Sequence, residues 1–273
     1  MKRILIVSMA FLFCGCLGKA GNISQTKNEI QPEQVRFTPD NAGITVVGRG
    51  YNISGQQTAP PIETLVIDPM GRKTGYDPAT ASLVYEIPNS IYEQDASIGI
   101  DSEEDVPASE QPPAYSDLDA TQAMSGEYKI QLLGKDAGEY ELSVRGMTAA
   151  AELRLEQKYF GLTEKGRIAE FRLNFNKTPG SVSTVTKTVT FQSLRDDVRL
   201  AKQFGYIDNE GISNSLAQKL NNAEEAKNKG NIKPAQNILE ALINEINAQT
   251  DKHIKKTFAD IFVADIAAFI RTL

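Results

Sequence analysis

The residues able to do chemistry in this chain are unevenly spread, and most of them are acids. No lysine or arginine occurs between Lys73 and Lys129. Asp77, Glu86, Glu93, Asp95, Asp101, Glu103, Glu104, Asp105, Glu110, Asp117, Asp119 and Glu127 all fall in that interval. Carboxylates are hard oxygen ligands, so in an exported protein this stretch would suit Ca2+, with Asp95, Asp101, Glu103 and Asp105 as first choices. The competing reading is a solvated acidic loop over residues 95–119 that holds no metal. Ser, Pro and Ala fill residues 102–116, Pro112-Pro113 punctuate them, and no Asp-x-Asp-x-Asp-Gly spacing occurs. We expect the second reading, and no cofactor. The acids would also allow hydrolase chemistry by paired carboxylates, but no spacing singles out a pair. His253 is the sole histidine. That excludes a two-His zinc site, leaves no spare base for a Ser-His-Asp arrangement, and makes His253 a first-turn residue of the last helix, near Thr250 or Asp251 as cap. Tyr51, Tyr76, Tyr85, Tyr92 and Tyr115 could stack on sugars from a β-rich surface, although tyrosine on a strand is more often core or rim, and the chain has no tryptophan.

Cys16 offers a different chemistry. Lys2 and Arg3 precede an apolar run from Ile4 to Phe13, and Cys14-Gly15-Cys16 follows. A basic start, a short apolar core and a small residue describe a secretory signal too short to span a bilayer. Gly15-Cys16 resembles a bacterial lipobox, with Phe13 where Leu is usual. The resemblance implies a signal peptide over 1–15 and acylation of Cys16, palmitate included. The membrane would then be a partner through that lipid. Loss of Lys2 and Arg3 takes the formal charge from −6 to −8, which argues against nucleic acid as a partner. Residues 16–34, rich in Gly, Asn, Gln, Lys and Ser, read as a flexible tether.

These groups must be positioned by two kinds of element. From about Val35 to Gln192 the pattern is period two. Ile44–Gly48, Glu63–Ile67 and Ser82–Glu86 are strand candidates between turn residues. Glu127–Leu133 and Glu139–Val144 read as a hairpin around Gly134–Gly138, with Tyr128, Ile130 and Leu132 on one face and Tyr140, Leu142 and Val144 on one face of the partner. Further strands are expected at 150–157, 167–175 and 183–191. At Ser193 the period becomes helical. Leu194, Val198, Ala201 and Phe204 begin it, Ile212, Leu216, Leu220 and Ala223 continue it, and Gly230 follows as a C-cap. Ala235 to Ile246 and Ile254 to Leu273 supply two more apolar stripes. The predicted fold class is α+β in two segregated domains, an antiparallel β-sandwich over 35–192 followed by a small helical bundle over 193–273.

Two charges intrude on the helical stripes, Lys219 between Leu216 and Ala223, and Asp265 between Phe262 and Phe269. A lone buried charge is costly, so a Lys219–Asp265 ion pair across two helices is the economical expectation. Asp265 accepting from backbone N–H groups at a neighbouring helix start is the alternative.

The tail carries Ile207-Asp208-Asn209-Glu210-Gly211-Ile212-Ser213-Asn214-Ser215-Leu216, then Lys219-Leu220, Gly230, Ala235, Leu242-Ile243, Lys252-His253-Ile254 and Ala264-Asp265. It resembles FIMAH, a helical C-terminal module of secreted bacterial proteins; Asp251 stands where Gly is more usual. Asp68–Pro78 and Glu86–Tyr92 resemble secreted β-domains that precede such tails. Gly126-Glu127-Tyr128 and Gly138-Glu139-Tyr140 are similar to the last strands of pre-peptidase C-terminal sandwiches. The resemblance brings no catalytic residue with it. The expectation is a non-catalytic envelope or surface lipoprotein that serves as a binding or assembly module, with an envelope protein or glycan as partner. A glycan- or calcium-binding accessory protein of the cell envelope is the alternative, and a hydrolase using acidic residues the third.

Overall fold

The computed structural model describes residues 40–52, 62–95 and 115–273, and Pro39–Leu273 form one compact unit. In chain order the strands are β1 (Gly43–Asn52), β2 (Ile62–Ile67), β3 (Lys73–Asp77), β4 (Ser82–Tyr85), β5 (Ser90–Asp95) and β6 (Tyr115–Thr121). They continue with β7 (Gly126–Gly134), β8 (Gly138–Met147), β9 (Leu153–Thr163), β10 (Ile168–Phe175) and β11 (Thr184–Lys187). Helices α1 (Phe191–Gln203), α2 (Glu210–Asn228), α3 (Ile232–Gln249) and α4 (Lys256–Ile270) follow. The fold class is α+β, a β-sandwich followed by a helical segment.

One sheet has the order β5-β6-β1-β8-β9 and the other β11-β10-β7-β2-β3-β4, antiparallel throughout. Alternation puts Ile44 and Val46 of β1, and Leu142 and Val144 of β8, into the space between the sheets. There they meet Ile130, Leu132, Phe171 and Leu173 from the opposite sheet. The expected hairpin is not one. β7 pairs with β10 and β2, while β8 pairs with β1 and β9, so Lys135–Ala137 carry the chain from one sheet to the other. Alternation fixes which face of a strand is buried. It does not say whether the next strand lies beside that one or across the core from it.

Strand β6 was hidden inside the acidic stretch. Leu118 and Ala120 point inward, and Asp117 and Asp119 take the opposite face. Residues 115–119 therefore belong to an internal strand, and the acidic loop is shorter at that end than 95–119. Toward the helices, only Thr184–Lys187 of the strand expected over 183–191 is formed. Thr190 then caps α1: its Oγ1 accepts from Ser193 N (3.0 Å), and Ser193 Oγ accepts from Thr190 N (2.9 Å).

The helices have a core of their own, built from Leu194 and Val198 of α1, Leu216 and Leu220 of α2, Leu239 and Leu242 of α3, and Phe262 and Ile266 of α4. Gly230, with φ +78°, turns the chain between α2 and α3. Leu162 of β9 packs into this helical core, which seats the bundle against the sandwich.

Candidate functional site

The two charges singled out in the helical stripes do not pair with each other. Asp265 Oδ2 receives Lys187 Nζ, from the end of β11. Lys219 Nζ lies 2.7 Å from Glu245 Oε2 on α3, and it donates to Ser215 Oγ one turn back at 3.1 Å. The correction has a geometric cause. In the packed bundle, the α4 face that carries Asp265 looks toward the sandwich, and Lys219 looks across α2 toward α3. Both charges have partners, as burial demanded, but the partners are other residues.

The Lys187–Asp265 contact belongs to a larger buried group. Arg167, in the turn between β9 and β10, donates to Asp197 Oδ1 on α1 at 2.8 Å, to Leu162 O at 2.9 Å and to Ser193 O at 3.2 Å. All four charged side chains are close to nine-tenths buried. Tyr140, on β8, is buried beside them. Its ring lies over Gly161, its register partner on β9, where an added Cβ would come within 2.5 Å of the phenol. Burial pushes the Tyr140 phenol above its ordinary value. Burial also lifts the Asp265 carboxyl, against the pull of Lys187. For Lys187, burial opposes the charged form, but Tyr140, Asp197 and Asp265 outweigh it and raise the ammonium's pKa. The cluster sums to zero charge, two cations against two carboxylates.

Above this charged floor opens a cavity of about 320 Å3 between sandwich and helices. Aromatic rings wall it: Tyr51 from β1, Phe160 from β9, Tyr206 from the α1–α2 connection, and Phe258 and Phe262 from α4. Phe258 stacks on Phe262 at 5.1 Å between ring centroids, and Tyr206 tilts against Phe258 at 6.2 Å. Thr257, Ile261 and Asp265 recur every fourth residue, so one stripe of α4 supplies that wall. Glu139 of β8 completes the lining; burial raises its carboxyl, and Lys255 pulls it back. A second cavity, of about 420 Å3, lies beside Thr45, Met147 and Leu153. Its charged groups, Arg145 and Glu156, are half-exposed and pair with each other at 3.1 Å. Convergence of apolar walls and buried polar groups marks the junction cavity as the candidate site.

The other predicted residues are dispersed. Cys16, Asp101, Glu103 and Asp105 lie outside the described residues, as do the signal peptide and the tether. Asp95 ends β5, opposite Tyr115. No three acidic, histidine or cysteine side chains among the described residues are grouped to hold a metal. Of the five tyrosines, Tyr51 alone lines the junction cavity. Tyr92 is buried and donates to Glu63 Oε2 at 2.9 Å, and Tyr85 is exposed on the edge strand β4. His253 is not in a helix. It sits in the α3–α4 connection with its Nδ1 2.8 Å from Asp208 Oδ1, because α4 begins only at Lys256. Asp251 has φ +61°, a left-handed conformation that favours glycine.

Sequence reasoning missed Lys187, Arg167, Asp197, Tyr140, Glu139 and Phe160 as parts of one site. Asp197 carried a usable signal: it falls in the α1 stripe with Leu194, Val198 and Ala201, the same test that singled out Asp265. Arg167 and Lys187 carried none, since Arg167 lies in a turn and Lys187 ends a four-residue strand, where no period marks a buried face. Compared with known proteins, the chain matches no family model, no curated protein and no solved structure.

Proposed function

We propose that this chain is a non-catalytic binding protein of the cell envelope, anchored by a lipid on Cys16, whose ligand site is the cavity between sandwich and helices. The observation that carries the binding reading is that cavity. Its volume falls in the range of small-molecule sites, its walls are rich in aromatic rings, and Lys187, Asp197 and Asp265 converge on one floor. The anchoring half rests on Lys2, Arg3, the apolar run and Gly15-Cys16. A helical tail of FIMAH type, following a β-sandwich, fits a module that displays a binding site away from a membrane. The reading is non-catalytic because Asp197 and Asp265 are committed to Arg167 and Lys187, which makes them supports of the floor rather than free proton carriers.

The test uses N-phenyl-1-naphthylamine, a neutral fluorophore that brightens in apolar surroundings. Saturable binding at one site is expected. Ile261→Trp, which fills the cavity from the half-buried stripe of α4, is expected to abolish it while the protein stays folded. Unchanged binding by a folded Ile261→Trp variant contradicts the proposal.

A further inference from the structure

The charges that line the junction cavity do not balance once its internal ion pairs are set aside. Asp197 is held by Arg167, and Asp265 by Lys187. Glu139 is left. It is half-buried, lines the cavity, and makes no ion pair or side-chain hydrogen bond among the described residues. A cation that acts on it electrostatically is Lys255, whose Nζ stands over the Tyr206 ring, 5.0 Å from its centroid. The rim thus already receives one ammonium on an aromatic face, supplied by the chain itself.

A half-buried carboxylate without a bonded counter-ion, in a cavity also lined by the rings of Tyr51, Phe160 and Tyr206, is chemistry suited to an organic cation. The negative ring faces attract it, the carboxylate neutralises it, and Ile261 and Phe262 receive the apolar remainder. An anionic amphiphile meets the opposite. Its head would face Glu139, and the cation in the lining, Lys187, is already engaged by Asp265. We infer that the junction cavity binds an amphipathic organic cation, an ammonium group carried on an apolar body, with Glu139 as its counter-charge. This rests on the cavity being a ligand site, as proposed above.

Three probes with one apolar body test it: 1-naphthylmethylammonium, 1-naphthalenemethanol and 1-naphthoate, titrated calorimetrically into the full chain at neutral pH and low salt. The ammonium is expected to bind at least tenfold tighter than the alcohol, and the carboxylate weakest. Glu139→Gln is expected to bring ammonium and alcohol within about twofold of each other while keeping the alcohol's affinity. The order of the three probes on the unmodified protein stands as a test by itself if that variant fails to fold. Naphthoate binding as tightly as the ammonium overturns the inference, and so does a preference that survives in Glu139→Gln. Equal binding of all three overturns the cation and leaves the cavity a ligand site. Binding of none overturns both.

Discussion

Replacing Lys187 by methionine keeps most of the side chain's volume and removes its charge. The Asp265 carboxylate then sits about nine-tenths buried with no cation bonded to it and with Asp197 close by. Breaking a buried pair in this way costs about 3–5 kcal/mol, because the stranded charge keeps its full desolvation penalty. For a folded unit of this size each kcal/mol is worth about 2–4 °C of melting temperature, so a fall on the order of 10 °C is expected. Asp265→Leu strands Lys187 and should cost a similar amount. The double variant Lys187→Met/Asp265→Leu removes both charges and should recover to within about 1 kcal/mol of the natural protein. Thermal and urea denaturation followed by circular dichroism would measure all four corners of this cycle. Effects that add to within about 0.5 kcal/mol would refute the pairing. A control cycle joins Lys219→Met to Asp265→Leu. These residues belong to different pairs, so that cycle should be additive, and Lys219→Met alone should cost about 1–3 kcal/mol, because Lys219 is a third exposed but the Glu245 oxygen it pairs with is buried.

Three other outcomes are expected, two from the structure and one from the sequence. Gly161→Ala places a Cβ against the Tyr140 ring, so the ring must shift; a loss of about 1–3 kcal/mol and weaker N-phenyl-1-naphthylamine binding are expected, and an unperturbed melt would contradict the packing described. The Asp117 carboxyl is raised by burial, then by Asp119 and Glu93, and one of its oxygens is buried without a partner. A carboxylate with a raised folded-state pKa costs stability above that pKa, so Asp117→Asn should raise the melting temperature at pH 7. The advantage should fade as the pH falls through the folded pKa toward the ordinary aspartate value of 3.8; a lower melting temperature at pH 7 would count against it. Labelled palmitate should enter the natural chain and not Cys16→Ser, and equal labelling of both would end the lipid-anchor proposal.

Local periodicity made much of the architecture legible. Ile44 and Val46, or Leu194 and Val198, announce their element because each period has one buried face. What stayed hidden was relational. Tyr128-x-Ile130-x-Leu132 and Tyr140-x-Leu142-x-Val144 look like hairpin partners, yet they face each other across the core, and both arrangements bury the same residues. Strand β6 was obscured by Asp117 and Asp119, which are poor strand formers tolerated here on the polar face. The costly charges at Lys219 and Asp265 were visible as charges needing partners. Their partners were not, because Lys187 reaches Asp265 only after the sandwich and helices have packed. The cavity was invisible for the same reason: Tyr51, Phe160 and Phe258 lie far apart in the chain and share no pattern until the fold brings them to one wall.

The junction cavity is the ligand site proposed for this protein. Amide and methyl NMR spectra of the full chain, recorded as N-phenyl-1-naphthylamine is added, test that claim directly. Shifts should concentrate at Glu139, Gly161, Leu162, Ile261 and Phe262 and saturate together with one dissociation constant. Shifts centred instead on Thr45, Arg145, Met147 and Leu153 at the second cavity, or none at the junction at saturation, would contradict it.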